Sequence, residues 1–97
     1  MSAYIIVEIK IHNHEEYENY KKLTPATLKA YDGKFIVRGG ESEILEGDWT
    51  PGRIVILEFS DMQQAKKWWS SEEYAPAKKI RQNCSYTKMI LVEGFES

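Results

Sequence analysis

Apolar side chains recur at every second position through Ile5, Val7, Ile9 and Ile11, and the run 3–11 is rich in β-branched residues, which predicts a first strand. Tyr4, Ile6, Glu8 and Lys10 fall on its other side, a set too mixed for either a plain core face or a plain solvent face. Asn13 is a good N-cap, and Glu15 and Glu16 suit the positive end of a helix dipole, so a helix begins near His14. Tyr17, Tyr20, Leu28 and Tyr31 keep roughly helical spacing. Pro25 interrupts that pattern behind Thr24 and predicts a kink or a restart there, before Asp32-Gly33 ends the element.

A second strand follows over Lys34-Phe35-Ile36-Val37-Arg38, with Phe35 and Val37 on one face and Ile36 and Arg38 on the other. Ser42 to Glu46 reads as extended again, so Gly39-Gly40 is expected to be a bulge or bend inside one long strand. Turn residues fill 47–52, and a third strand alternates Val55, Leu57 and Phe59 against Ile54, Ile56 and Glu58. Ser60-Asp61-Met62-Gln63 has capping-box spacing and starts a second helix, which breaks after Trp68-Trp69 and restarts through Tyr74, Ala77, Ile80 and Arg81. Residues 85–93 form the last strand, with Met89 and Leu91 opposed by Lys88, Ile90 and Val92.

Strand, helix, strand, strand, helix, strand is the α+β, ferredoxin-like βαββαβ order, an antiparallel four-stranded sheet with both helices on one face. The uniformly apolar set belongs under the helices. The opposite face then shows Tyr4, Ile6, Glu8, Ile36, Arg38, Ile54, Ile56, Glu58, Lys88, Ile90 and Val92. Aliphatics in that number on one open face mark an interaction site. The expectation is a homodimer joined through this face, enclosing a chamber lined by Tyr4, Glu8, Arg38 and Glu58.

With 97 residues the chain is a single domain, 1–97, that leaves much apolar surface exposed. A net charge of −2 with scattered Lys and Arg gives no electrostatic footprint for nucleic acid. One cysteine, Cys84, excludes an intrachain disulfide and a cysteine zinc site and fits a reducing compartment. No leader pattern and no run near the roughly 20 apolar residues of a membrane span is present, so the expectation is a cytoplasmic protein with no membrane partner.

Arg38 is the first chemical candidate, either holding a small anionic molecule through bidentate hydrogen bonds or simply ion-paired with Glu58. Glu8 and Glu58, sharing its chamber, fit general-base work or a charge network that fixes the dimer. His12, in phase with Glu8 and Lys10, is the better base of the two histidines. His12 and His14 have metal-binding spacing, but no third ligand follows from it, so no metal is assigned. Adjacent helical residues lie about 100° apart, so only one of Trp68 and Trp69 can face the core; Trp69 and Trp49 are candidates for a pocket rim or the dimer seam. Ser71, Tyr74 and Arg81 share one side of the last helix and either frame a polar pocket or serve as cap and anchor. A nucleophile elbow, a phosphate loop and a dinucleotide fingerprint are all lacking, and no cofactor is expected.

The run 33–40, then Leu45-Glu46-Gly47-Asp48-Trp49, then Phe59-Ser60 with Ala65, Trp68-Trp69, Ser71, Glu73-Tyr74 and Arg81, resembles the uncharacterised family catalogued as domain of unknown function 1330. The resemblance covers nearly the whole chain and implies a dimeric α/β barrel, two ferredoxin-like sheets packed face to face. It supplies no reaction. Asp32-Gly33 stands where the family usually has Gly-Gly, a departure that affects the turn. Other proteins of the fold group include cofactor-independent monooxygenases, lactone isomerases and haem-dependent enzymes, an analogy at fold level. The residue types suit proton transfer, isomerisation or oxygenation of a small anion oriented by Arg38, with Glu58, Glu8 or His12 moving the proton. The alternative is a non-catalytic ligand-binding or assembly module.

Overall fold

The computed structural model describes residues 1–96. The elements are β1 (Ala3–Ile11), α1 (His14–Ala30), β2 (Lys34–Arg38), β3 (Arg53–Phe59), α2 (Met62–Trp69), α3 (Ala75–Cys84) and β4 (Ser85–Glu93). All four strands lie in one antiparallel sheet of order β2-β3-β1-β4, the ferredoxin-like arrangement. Within the described residues no helix is long and apolar enough to cross a membrane.

The alternation read from the sequence sorts the sheet faces. Ile5, Val7, Ile9, Val55, Leu57 and Phe59 are buried under the helices, with Phe35, Met89 and Leu91 packed at the margin. Trp68 is the centre of this layer: it is fully buried, its ring stacks on Tyr74 at 3.9 Å between centroids, and Phe59 lies 5.5 Å away. Its indole Nε1 donates to Thr27 Oγ1 at 3.0 Å, so the polar atom of the largest core side chain is satisfied. Trp69 points outward, 43% exposed, under the Lys78 ammonium at 3.8 Å.

The caps follow the sequence, with one shift. Asn13 Oδ1 accepts from the Glu16 amide, and Asp61, one residue after Ser60, caps α2 by accepting from Gln64 N. Ser71 Oγ donates to Trp68 O and accepts from Tyr74 N, which fixes the turn between α2 and α3.

Two expectations are corrected. The first helix neither breaks nor restarts: α1 runs through Pro25 as one element of 17 residues. Proline lacks the N–H that would bond four residues back, so the Lys21 carbonyl is left without its helical donor. Arg38 Nη2 supplies a replacement at 3.2 Å. The second strand also does not resume after the glycines. Gly39 takes a left-handed φ of 70°, the chain leaves the sheet, and 39–52 is a loop with no strand, in which Leu45 is 92% exposed. An extended segment is stable only when its amides are paired, and the pairing of β2 with β3 ends here, the last bond running from Gly39 N to Ile54 O.

Candidate functional site

The irregularity expected at the glycines lies earlier, at Ile36. Lys34 pairs with Glu58 and Phe35 with Leu57, but Val37 pairs with Ile56 and Arg38 with Val55. One extra residue in β2 reverses the side-chain phase beyond it. Val37 therefore joins the open face, and Arg38 turns to the helix side. The chamber expected around Arg38, Glu8 and Glu58 does not form within a subunit, because the sheet separates the cation from both carboxylates.

On the helix side Arg38 lies 4.2 Å over the Phe35 ring and bridges to α1 through the Lys21 carbonyl. It closes the outer wall of a small cavity, about 20 Å³, between α1 and the sheet, where Tyr17, Tyr20 and Arg53 meet Val55, Leu57 and Trp68. Arg53 is the second cation. Its guanidinium stands 5.7 Å over the Tyr17 ring and reaches Arg38 O at 3.5 Å, in the space that a side chain at Gly39 would fill. Arg53 Nε is buried with no hydrogen-bond partner. No Asp or Glu lines the cavity, and among the described residues neither arginine has an acidic partner. Burial pushes both the Tyr17 and Tyr20 phenols up, so each is a neutral donor at ordinary pH. The Tyr20 hydroxyl is 2.8 Å from that of Tyr74, which accepts from Arg81 Nε at 3.2 Å. Unpaired guanidiniums and phenols in an apolar setting can hold a carboxylate or an enolate.

The open face is chemically quieter. Glu58 is ion-paired with Lys34 at 3.2 Å and accepts from the Tyr4 hydroxyl; these contacts, Lys34 first, hold its carboxyl below the usual range. Glu8 Oε2 accepts from Gly52 N at 3.1 Å and from Trp49 Nε1 at 3.2 Å, which likewise lowers its pKa and ties the long loop to β1. Both are weak bases. A carboxylate whose folded pKa is depressed contributes its stabilisation above its unfolded pKa and loses it as pH falls through the folded value. Acidification should therefore release Trp49 with a midpoint below an ordinary glutamate's, read as a fluorescence change that Trp49→Phe removes. A midpoint at the ordinary value would show that the Glu8 contacts do not hold the loop.

The remaining candidates are dispersed. His12 lies at the exposed end of the sheet, its ring 5.1 Å from Tyr86 and far along β1 from Glu58, whose partner there is Tyr4. Ser71 serves as a cap, Tyr74 is core, Trp49 belongs to the loop and Trp69 to an outer groove over β4. Arg81 is buried beneath α3. Arg53, Tyr17 and Tyr20, which complete the cavity, were legible to a degree: Arg53 is in phase with Val55 and Leu57, a cation at the head of a core-facing row.

The profile of a family described as a domain of unknown function, DUF1330, matches residues 2–95. No curated protein matches the chain. Among solved structures, a protein of unknown function from Rhodopseudomonas palustris superposes with a TM-score of 0.79 at 15% identity, covering 99% of this chain and 84% of its own. SnoaB, a cofactor-independent oxygenase from Streptomyces nogalater, gives 0.68 at 12% identity over 99% and 95% of the two chains. A dimeric protein of unknown function and ferredoxin-like fold from Bacteroides fragilis gives 0.64 at 16% over 96% of each. At these identities the likeness is one of fold.

Proposed function

The chain belongs to the DUF1330 family, and on that premise we propose that it forms a homodimer whose subunits each bind a small organic anion between α1 and the sheet and stabilise its enolate form there without a cofactor. The buried, unpartnered Arg53 Nε carries this reading. The rest of the guanidinium is partly exposed and reaches Arg38 O and the Tyr17 ring, so an anion at this point would supply the acceptor that Nε lacks.

Arg38 and Arg53 would orient the anion from two sides, and the neutral phenol of Tyr17 or Tyr20 would donate a hydrogen bond to an enolate oxygen of a substrate that enters already deprotonated. His12 and Glu58 lie outside this pocket and take no part in it. The oxygenase SnoaB shares the fold and uses no cofactor, which makes isomerase or oxygenase chemistry at an enolate the class that fits. A second reading, binding without turnover, draws on the small interior of about 20 Å³, which admits a carboxylate head only once Arg38 moves aside.

The dimer rests on the open face. Ile6, Ile36, Ile90 and Val92 are 39–59% exposed and form one patch with Val37, Ile54 and Ile56. The Bacteroides fragilis protein of this fold is dimeric, which supports a dimer without indicating the face used.

The anion site is tested by titrating small carboxylates, from acetate to benzoate, and following amide shifts. Arg53→Met should weaken binding about tenfold or more, the effect of one charge-assisted contact, and Arg38→Met comparably. Unaltered affinity in both variants would remove the cavity from consideration.

A further inference from the structure

The two phenol hydroxyls between α1 and the head of α3 carry one proton more than their contacts use. Arg81 is only 4% exposed, and the one hydrogen bond of its side chain among the described residues runs from Nε to the Tyr74 hydroxyl at 3.2 Å. No carboxylate among the described residues lies within ion-pair distance of it. The buried Tyr74 hydroxyl stands 2.8 Å from that of Tyr20, and the two have no other hydrogen-bond partner among the described residues.

Two O–H groups that share one contact spend one proton on it and keep the other. Were Tyr20 the donor, Tyr74 would accept twice and its own proton would be left beside a guanidinium, with no acceptor. With Tyr74 as the donor the chain runs in one direction, from Arg81 Nε to the Tyr74 oxygen and from the Tyr74 O–H to Tyr20. That order is favoured, because a cation donating to Tyr74 makes its hydroxyl a stronger donor and a weaker acceptor. The unspent proton is then that of Tyr20.

Tyr20 lines the cavity under α1, whereas Tyr74 and Arg81 do not. Arg53, whose Nε also lacks an acceptor, belongs to the same wall. Tyr17 has no such chain behind it: its ring lies under the Arg53 guanidinium, and the phenol pair excludes its hydroxyl. Burial first, and then Tyr74, push the Tyr20 phenol up, with Arg81 acting against them, so Tyr20 keeps its proton and remains a donor.

On the reading that this cavity takes a small organic anion, we propose that Tyr20 is the phenol that meets the anion's oxygen and that Arg81 is its positioning residue, setting the direction of the hydrogen bonds through Tyr74 without touching the ligand. A donor polarised in this way favours the more basic oxygen, an enolate above a carboxylate.

Benzoate titrated into the full chain labelled with carbon-13 at tyrosine Cζ reads each of the six phenols separately. At saturation the Tyr20 and Tyr74 resonances should move together, while Tyr4, Tyr31 and Tyr86, outside the cavity, stay in place. Tyr20→Phe should weaken benzoate about tenfold, the loss of one charge-assisted contact. Arg81→Met should weaken it about threefold and shrink the Tyr20 displacement at saturation, which a merely structural role would leave intact. Where Arg81→Met fails to fold, Tyr74→Phe, which keeps the ring stacked on Trp68, carries the same expectation, and the wild-type spectrum needs no variant. A Tyr20 resonance unmoved by saturating benzoate, or a full Tyr20 displacement in Arg81→Met, would overturn the relay while Arg53-dependent binding stood. A wild type that binds no benzoate, or an Arg53→Met variant that binds it unchanged, would overturn the anion site and the relay with it.

Discussion

Ile56→Asp should convert the protein from dimer to monomer. Ile56 lies on β3, inside the sheet, opposite Ile6 on one side and Val37 on the other, so it occupies the middle of the open apolar face. In a two-fold symmetric interface each substitution enters twice, and the carboxylates would be buried among the aliphatic side chains of this face. An unpaired buried charge costs several kcal/mol. Loss of about 4 kcal/mol lowers the association constant about a thousandfold. Sedimentation velocity at micromolar concentration checks the result, with circular dichroism showing that the variant keeps its fold. The fold should survive, because in the isolated subunit this side chain faces water and not the helices. A variant that stays dimeric, or a wild type that sediments as a monomer, would defeat assembly through this face.

Trp68→Ala should remove much of the stability of the subunit. The indole has no exposure, contacts both Phe59 and Tyr74, and donates to Thr27 Oγ1, so its loss opens a cavity and removes one of the two hydrogen bonds of a buried hydroxyl that still donates to Thr24 O. Large aromatic truncations cost about 3–5 kcal/mol, against a total of about 5–15 for a domain. The neighbouring Trp69→Ala should cost about 1 kcal/mol, since that ring is partly exposed and loses mainly its cation–π contact with Lys78. Urea unfolding at fixed protein concentration compares the two, the concentration being held because the proposed dimerisation would contribute to apparent stability. Equal losses would mean that the two tryptophans are not divided between core and surface.

That division was legible in the sequence, because two consecutive helical residues cannot share a direction. The strand order, Asn13 as a cap and the break after Trp69 were legible for the same kind of reason: each is a local rule about caps and periodicity. Arg38 was not. Its face was extrapolated from strict alternation across β2, and the extra residue at Ile36 reverses that phase without a signature of its own, since the glycines expected to carry the irregularity lie further on. The extended reading of 42–46 failed because propensity was taken for pairing, and the only neighbour available to that segment had already been left behind. The restart expected at Pro25 does not occur, because the group that replaces the lost helical donor comes from another element. The cavity itself was out of reach, since it is made by α1, β2 and β3 converging at residues far apart in the chain.

The proline in α1 has a kinetic consequence. A guanidinium waiting for an anion would ordinarily have to shed water and stand bare while the ligand arrives. Arg38 instead rests on the Lys21 carbonyl that Pro25 sets free. On the proposed reading, ligand entry would be an exchange of acceptors at Arg38, a carboxylate oxygen taking the place of an amide oxygen. The same carbonyl would receive the arginine back when such a ligand left, so the contact gives Arg38 a defined resting position.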